Sequence, residues 1–82
     1  GDGTNIHPNA KVDSLTVTGP NVAIDEDAVV EKSIILSGST LGKAVRITNC
    51  IVDENVMIGD NCLFKSGSVI AANSVIGRGS KL

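Results

Sequence analysis

Apolar residues recur in this chain at a spacing that neither a helix nor an ordinary strand can use. Ile58, Phe64, Ile70, Ile76 and Leu82 are six apart. Aligned on the apolar residue, hexads begin at Ile6, Val17, Ile24, Ile35, Leu41, Val52, Ile58, Phe64, Ile70 and Ile76, and five-residue units begin at Val12, Val30 and Ile47. Helical faces repeat every 3.6 residues and pleated faces every 2, so a period of six implies a short extended piece followed by a change of direction. The fourth hexad position supplies that change. It reads Asn9, Asn21, Asp27, Gly38, Ala44, Asn55, Asn61, Gly67, Asn73 and Gly79, and nine of these ten are Gly, Asn or Asp, the types that enter left-handed backbone most cheaply. The fifth position holds only Ala, Ser, Cys or Val, as in Ala10, Val22, Ala28, Ser39 and Cys62.

Three units make one coil. The segment starting at Ile24 aligns with those starting at Leu41 and Ile58, giving coils of 17, 17 and 18 residues, the shorter ones carrying a five-residue middle unit. Stacked triangular coils form three parallel sheets with like residues superposed about 4.8 Å apart. The predicted fold is therefore all-β: a single-stranded parallel β-helix of hexapeptide repeats, about four triangular coils over residues 6–82, preceded by a disordered or capping segment over 1–5. Glu26, Lys43, Asp60 and Arg78 fall at one position of successive coils and should form a column of alternating charge. The pair Gly19-Pro20 adds a residue to the Val17 hexad, which predicts a bulged corner there. The apolar coil ends need a cover, since stability in such a stack accumulates through neighbouring coils. With Met57 the only methionine and Leu82 opening an unfinished coil face, a piece of a longer protein is expected. The final Ser-Lys-Leu fits the repeat and needs no targeting role.

Composition narrows the function. The apolar residues are almost all aliphatic, with Phe64 the only aromatic. A net charge of −2, scattered basic residues and no stacking platform argue against nucleic acid. No apolar run reaches the roughly 18–20 residues of a membrane span, so no membrane partner is expected and a cytoplasmic location is. Cys50 and Cys62 have neither zinc-site nor redox-motif spacing and read as buried free thiols. No metal site is predicted.

The segments "IHPNA", "LGKAV", "IGDNC" and "IGRGS" resemble the hexapeptide-repeat, left-handed parallel β-helix proteins. Left-handedness is what that resemblance implies. The alternation of five- and six-residue units between Val29 and Cys62 resembles the C-terminal domain of sugar-1-phosphate nucleotidyltransferases, among them mannose-1-phosphate guanylyltransferases and glucose-1-phosphate adenylyl- or thymidylyltransferases. In those enzymes a separate N-terminal domain binds the nucleoside triphosphate and Mg2+. The resemblance thus implies a non-catalytic oligomerisation or regulatory domain that holds no cofactor. Its partner would be its own kind, as a dimer or trimer, or the N-terminal catalytic domain. Gly1 to Thr4, "GDGT", lacks the Arg-Leu continuation of the phosphate loop of such enzymes.

Two other readings are open. Acyltransferases of the same fold use a histidine base with acetyl-CoA or acyl carrier protein, which makes His7, the only histidine, the one candidate catalytic residue. Its place in "IHPNA" favours an ordinary surface histidine. A stand-alone structural solenoid is the other. The zinc-dependent carbonic anhydrases of this fold need three histidines and are excluded, and one Thr-x-Thr at Thr16 to Thr18 does not make an ice-binding array.

Overall fold

The computed structural model describes residues 3–81 and contains no helix among them. The chain winds into a solenoid of about four turns whose strands, two or three residues each, form three parallel sheets. The first sheet stacks β1 (Asn5–Ile6), β4 (Ala23–Ile24), β7 (Thr40–Leu41), β10 (Met57–Ile58) and β12 (Val75–Ile76). The second holds β2 (Lys11–Val12), β5 (Val29–Glu31) and β8 (Arg46–Thr48), extended by single bridges from Arg46 to Leu63 and from Leu63 to Lys81. The third stacks β3 (Val17–Thr18), β6 (Ile34–Ile35), β9 (Ile51–Val52) and β11 (Val69–Ile70). Registers are as the repeat predicts on the first sheet, where Ile6, Ile24, Leu41, Ile58 and Ile76 form one column.

Corners are set by backbone conformation. Of the ten fourth-position residues, all but Asn9 have positive φ. Lys32 and Asn49 take the same conformation in the five-residue units, with φ of 50° and 52°. From Gly38 onward the corner amides also bond to the coil beside them, as where the Ala44 amide donates to the Glu26 carbonyl at 3.0 Å and the Asn55 amide to the Ser37 carbonyl at 3.0 Å. Coil pairing therefore continues around the bends.

Inside, aliphatic columns fill the axis: Leu41, Ile47, Ile35, Val52, Val45 and Val56 have no exposed surface. The small fifth position lets the corner close on this core, and where it is polar its group is bonded to backbone. Ser39 donates to the Asp53 carbonyl at 2.6 Å and accepts from the Val56 amide at 3.2 Å. Ser33 donates to the Glu31 carbonyl at 2.7 Å and accepts from the Cys50 amide at 3.2 Å. Cys50 and Cys62 are free, buried thiols, each directed at backbone carbonyls. No buried side-chain nitrogen or oxygen among the described residues lacks a partner, as the cost of desolvating polar groups requires.

One register differs from expectation. The third sheet pairs Val17 with Ile34 and Thr18 with Ile35, so Thr18 takes the inward column and Val17 points out at 60% exposure. The Val12 unit therefore has six residues rather than five, the following unit runs from Thr18 to Ala23 without an insertion, and Gly19-Pro20 forms a regular corner. The reason is the ladder. The Val17 and Gly19 amides donate to the Ser33 and Ile35 carbonyls at 2.9 and 2.8 Å, bonds that a bulge would interrupt. Thr18 is tolerated inward because the first coil closes on only one neighbour and its core positions stay partly open.

Glu26, Lys43, Asp60 and Arg78 do stack at one corner, since the amides of Ala44, Asn61 and Gly79 donate to the carbonyls of Glu26, Lys43 and Asp60. Asp60 spends its carboxylate on the Lys43 amide at 2.8 Å. Of the segment expected to cap or be disordered, Gly1 and Asp2 lie outside the described residues. Thr4 and Asn5 bond to the backbone at the end of the first coil, to the Gly19 carbonyl and the Val22 carbonyl, both at 2.8 Å.

Candidate functional site

His7 stands at the rim of an open groove of about 290 Å³ on the first sheet, beside Asn5, Pro8, Asp25 and Thr40. The β1 ladder fixes its backbone: the His7 amide donates to the Ile24 carbonyl at 2.9 Å, and its own carbonyl accepts from the Ala10 amide at 2.9 Å. The ring closes the same turn, with Nδ1 accepting from the Asn9 amide at 3.0 Å. A neutral imidazole so bonded carries its proton on Nε2. In that tautomer Nε2 donates and the Nδ1 lone pair is already taken, whereas a general base must present a lone pair to its substrate. The bond makes His7 a corner-building residue. The nearby Asp25 carboxylate accepts from the Glu26 amide at 2.7 Å and so serves its own turn.

Of the "GDGT" segment, the described residues Gly3 and Thr4 belong to the coil. Gly3 sits at a left-handed corner, φ 73°, and the Thr4 hydroxyl donates to the Gly19 carbonyl. A phosphate loop would instead turn several backbone amides toward open solvent. Among the described residues there is no group of three or more His, Cys, Asp and Glu side chains placed to hold a metal. Among the same described residues no helix is long and apolar enough to cross a membrane.

A polar cluster absent from the sequence reading lies at Asp13. Its carboxylate accepts from the Thr16 hydroxyl at 2.7 Å and from the Lys32 amide at 3.1 Å. The Thr16 hydroxyl foremost, and then the Lys32, Leu15 and Thr16 amides, hold this carboxyl below the usual carboxylate range. The cluster ties the middle unit of the first coil to that of the second.

The larger omission concerns the outward columns. The first sheet presents Asn5, Ala23, Thr40, Met57 and Val75, and the second presents Lys11, Val29, Arg46, Leu63 and Lys81. The third presents only Val17, Ile34, Ile51 and Val69, at 60, 40, 42 and 69% exposure. The signal was present in the residues preceding the inward Ile35, Val52 and Ile70, which are Ile34, Ile51 and Val69; in the first coil the register taken from Val17 hid it. An alignment built on inward residues passes over it.

These coils, corners and columns define a hexapeptide-repeat β-solenoid. The chain belongs to the GMPPB C-terminal domain family, which it matches over residues 1–82. It is also similar to a glucose-1-phosphate adenylyltransferase of Corynebacterium diphtheriae, 38% identical over 45 residues, covering 55% of this chain and 10% of that enzyme. The chain thus spans about a tenth of the length of that relative. Among solved structures it resembles the acetyltransferase domain of PglB from Neisseria gonorrhoeae, with TM-score 0.73, 21% identity and coverage of 95% of this chain and 45% of the other. The same domain in complex with acetyl coenzyme A gives TM-score 0.60 at 22% identity, covering 96% and 45%. At such identity these two likenesses concern the fold.

Proposed function

We propose that this C-terminal domain of the sugar-1-phosphate nucleotidyltransferase family is a non-catalytic association module. It joins copies of its parent protein, or packs on a separate catalytic domain that binds nucleoside triphosphate and Mg2+. The observation that supports this reading is the disposition of the polar groups. Asp13, Asp60, Ser33, Ser39, Thr4 and the His7 ring each bond to the chain's own backbone, while one whole sheet offers solvent a column of aliphatic side chains. Polar groups used in this way hold coils together, and an aliphatic sheet face is suited to contact with protein.

Calorimetry tests it. The 82-residue chain titrated with GTP and Mg2+, mannose 1-phosphate or glucose 1-phosphate should give no saturable heat, and saturable nucleotide binding would overturn the reading.

The groove beside His7 favours one alternative, an acetyl-CoA-dependent acyltransferase in which His7 is the base. It predicts saturable binding of acetyl-CoA by this chain and loss of acetyl transfer in His7→Ala. The bond from the Asn9 amide to His7 Nδ1 argues the other way, so acetyl-CoA too should give no heat.

A further inference from the structure

We propose that Asn73 is a modification site: it loses its side-chain amide in the folded protein without an enzyme, and the isoaspartate so formed loosens the corner between β11 and β12. The reaction is closure of a ring onto the following residue. The Ser74 backbone nitrogen gives its proton to base and attacks Cγ of Asn73, so that an N–C bond forms, the Cγ–Nδ2 bond breaks, and ammonia leaves with a proton from water. Water then opens the succinimide at either carbonyl to give aspartate or isoaspartate. One water is taken up and one ammonia released, with no oxidant, reductant or cofactor.

That chemistry needs an uncrowded residue after the asparagine, a backbone amide free of strong bonds, and access to water. Five asparagines hold left-handed corners, Asn21, Asn49, Asn55, Asn61 and Asn73, and the first four fail these conditions. Val22 and Val56 are branched at Cβ and fully buried, and Cys50 and Cys62 are buried as well. The Val56 and Cys50 amides also donate to the Ser39 and Ser33 hydroxyls, both at 3.2 Å. Ser74 is small and half-buried, and its amide makes one long bond, 3.3 Å to the Ala71 carbonyl of its own corner. Ala71, Ala72 and Asn73 are all exposed. Of the remaining asparagines, Asn5 precedes the branched Ile6 in β1. Asn9 precedes Ala10, but the Ala10 amide donates to the His7 carbonyl at 2.9 Å and the Asn9 amide is held by the His7 ring.

Place in the stack sets the rate, because the ring closes only when the corner opens. The corners of Asn49, Asn55 and Asn61 are bonded to a coil on either side, through their own amides and through those of Gly67, Asn73 and Gly79. β11 and β12 are the outermost strands of their sheets at this end, so among the described residues no coil covers Asn73 from that side. Isoaspartate would then do lasting harm. It adds one main-chain carbon at the bend of a six-residue unit and sets a carboxylate over the corner of Asp53 and Glu54. The bonds it strains are those from the Asn73 amide to the Glu54 carbonyl and from the Met57 amide to the Ser74 carbonyl, both at 2.9 Å.

Peptide mapping by mass spectrometry tests this on the 82-residue chain aged in mildly alkaline buffer, both folded and in guanidinium chloride. Trypsin separates the asparagines: Asn5 and Asn9 fall in residues 1–11, Asn21 in 12–32, Asn49, Asn55 and Asn61 in 47–65, and Asn73 alone in 66–78. In the folded chain, 66–78 should gain one mass unit nearly as fast as in guanidinium chloride, and the other asparagine peptides at least about tenfold more slowly than it. Ser74→Val, with the residue that Val22, Val45 and Val56 already supply at the fifth position, should slow the gain. Asn73→Gly should abolish it while keeping the corner, as Gly38 does at φ 77°. Circular dichroism verifies that each variant folds. The aged chain should melt below Asn73→Asp, which carries the charge without the added carbon. Protection of Asn73 by folding as strong as that of Asn55 and Asn61 overturns the proposal, and this comparison needs no variant. A faster gain in another peptide of the folded chain, an unchanged rate in Ser74→Val, or an aged chain that melts with Asn73→Asp overturns it as well.

Discussion

Replacing Gly59 by alanine tests whether the second hexad position is set by the approach of the next coil. Gly59 follows Ile58 and does not have positive φ, so alanine can adopt its backbone conformation. A Cβ there would lie 2.6 Å from the Arg78 amide nitrogen and 2.9 Å from its Cα, against about 3.4 Å for an ordinary contact. The fourth coil and the partial coil that follows it would have to separate locally by about 0.8 Å. That strains the 2.8 Å bond from the Gly59 amide to the Ile76 carbonyl. Overpacking of this kind costs about 1–3 kcal/mol. The stiffer unfolded chain returns about 0.4–1 kcal/mol. The net loss is about 1–2 kcal/mol, which for a domain of this size lowers the melting temperature by roughly 5–15 °C. Gly77 is the internal control, because a Cβ there meets nothing within 4 Å. Gly77→Ala should leave stability unchanged or raise it by up to about 1 kcal/mol. Thermal and urea unfolding followed by circular dichroism reads both. A Gly59→Ala protein as stable as the parent, or a Gly77→Ala protein equally damaged, would refute the argument.

Ala44 occupies a left-handed corner, φ 57°, without the tolerance of Gly or Asn, so Ala44→Gly should stabilise the chain by roughly 0.5–1 kcal/mol in urea unfolding. Asp13 has a folded pKa below its unfolded value of about 3.9, so its contribution is present above that value and is lost as pH falls through the folded pKa. Asp13→Asn should therefore be less stable than the parent at pH 7, with the gap narrowing below about pH 4 in paired denaturation curves. Cys50 and Cys62 should resist an aromatic disulfide reagent in the native protein and react at once in guanidinium chloride, since thiol reactivity requires access. Fast modification without denaturant would mean that the coils open far more readily than their packing implies.

The period of six was enough to establish coil, corner and column, because each depends on one residue type at one place. Asn55, Asn61 and Asn73 enter the left-handed region because the chain must bend there, and Leu41 and Ile58 superpose because the units between them sum to one turn. The same logic failed at Val17. Two adjacent residues, Val17 and Thr18, could each open a unit, and hydrophobicity chose the wrong one. The choice was made by the hydrogen-bond ladder to Ser33 and Ile35, which belongs to the next coil and leaves no mark on the local segment. His7 was legible as a residue type but not as a tautomer, since the bond from the Asn9 amide exists only once the corner has formed.

Function is harder to read than fold here for a reason built into the solenoid. Inward positions are constrained by the coils above and below, so every member of such a fold repeats them. What a particular prism does is left to outward columns, where one residue per coil is free to vary. On the second sheet that freedom gives Lys11, Arg46 and Lys81, which favour solvent. On the third it gives Val17, Ile34, Ile51 and Val69, whose β-branched side chains stabilise their strands on either side but gain far more when water is excluded from both. Swapping these two outward columns would leave the core unchanged and, on this argument, would carry the docking surface from the third sheet to the second.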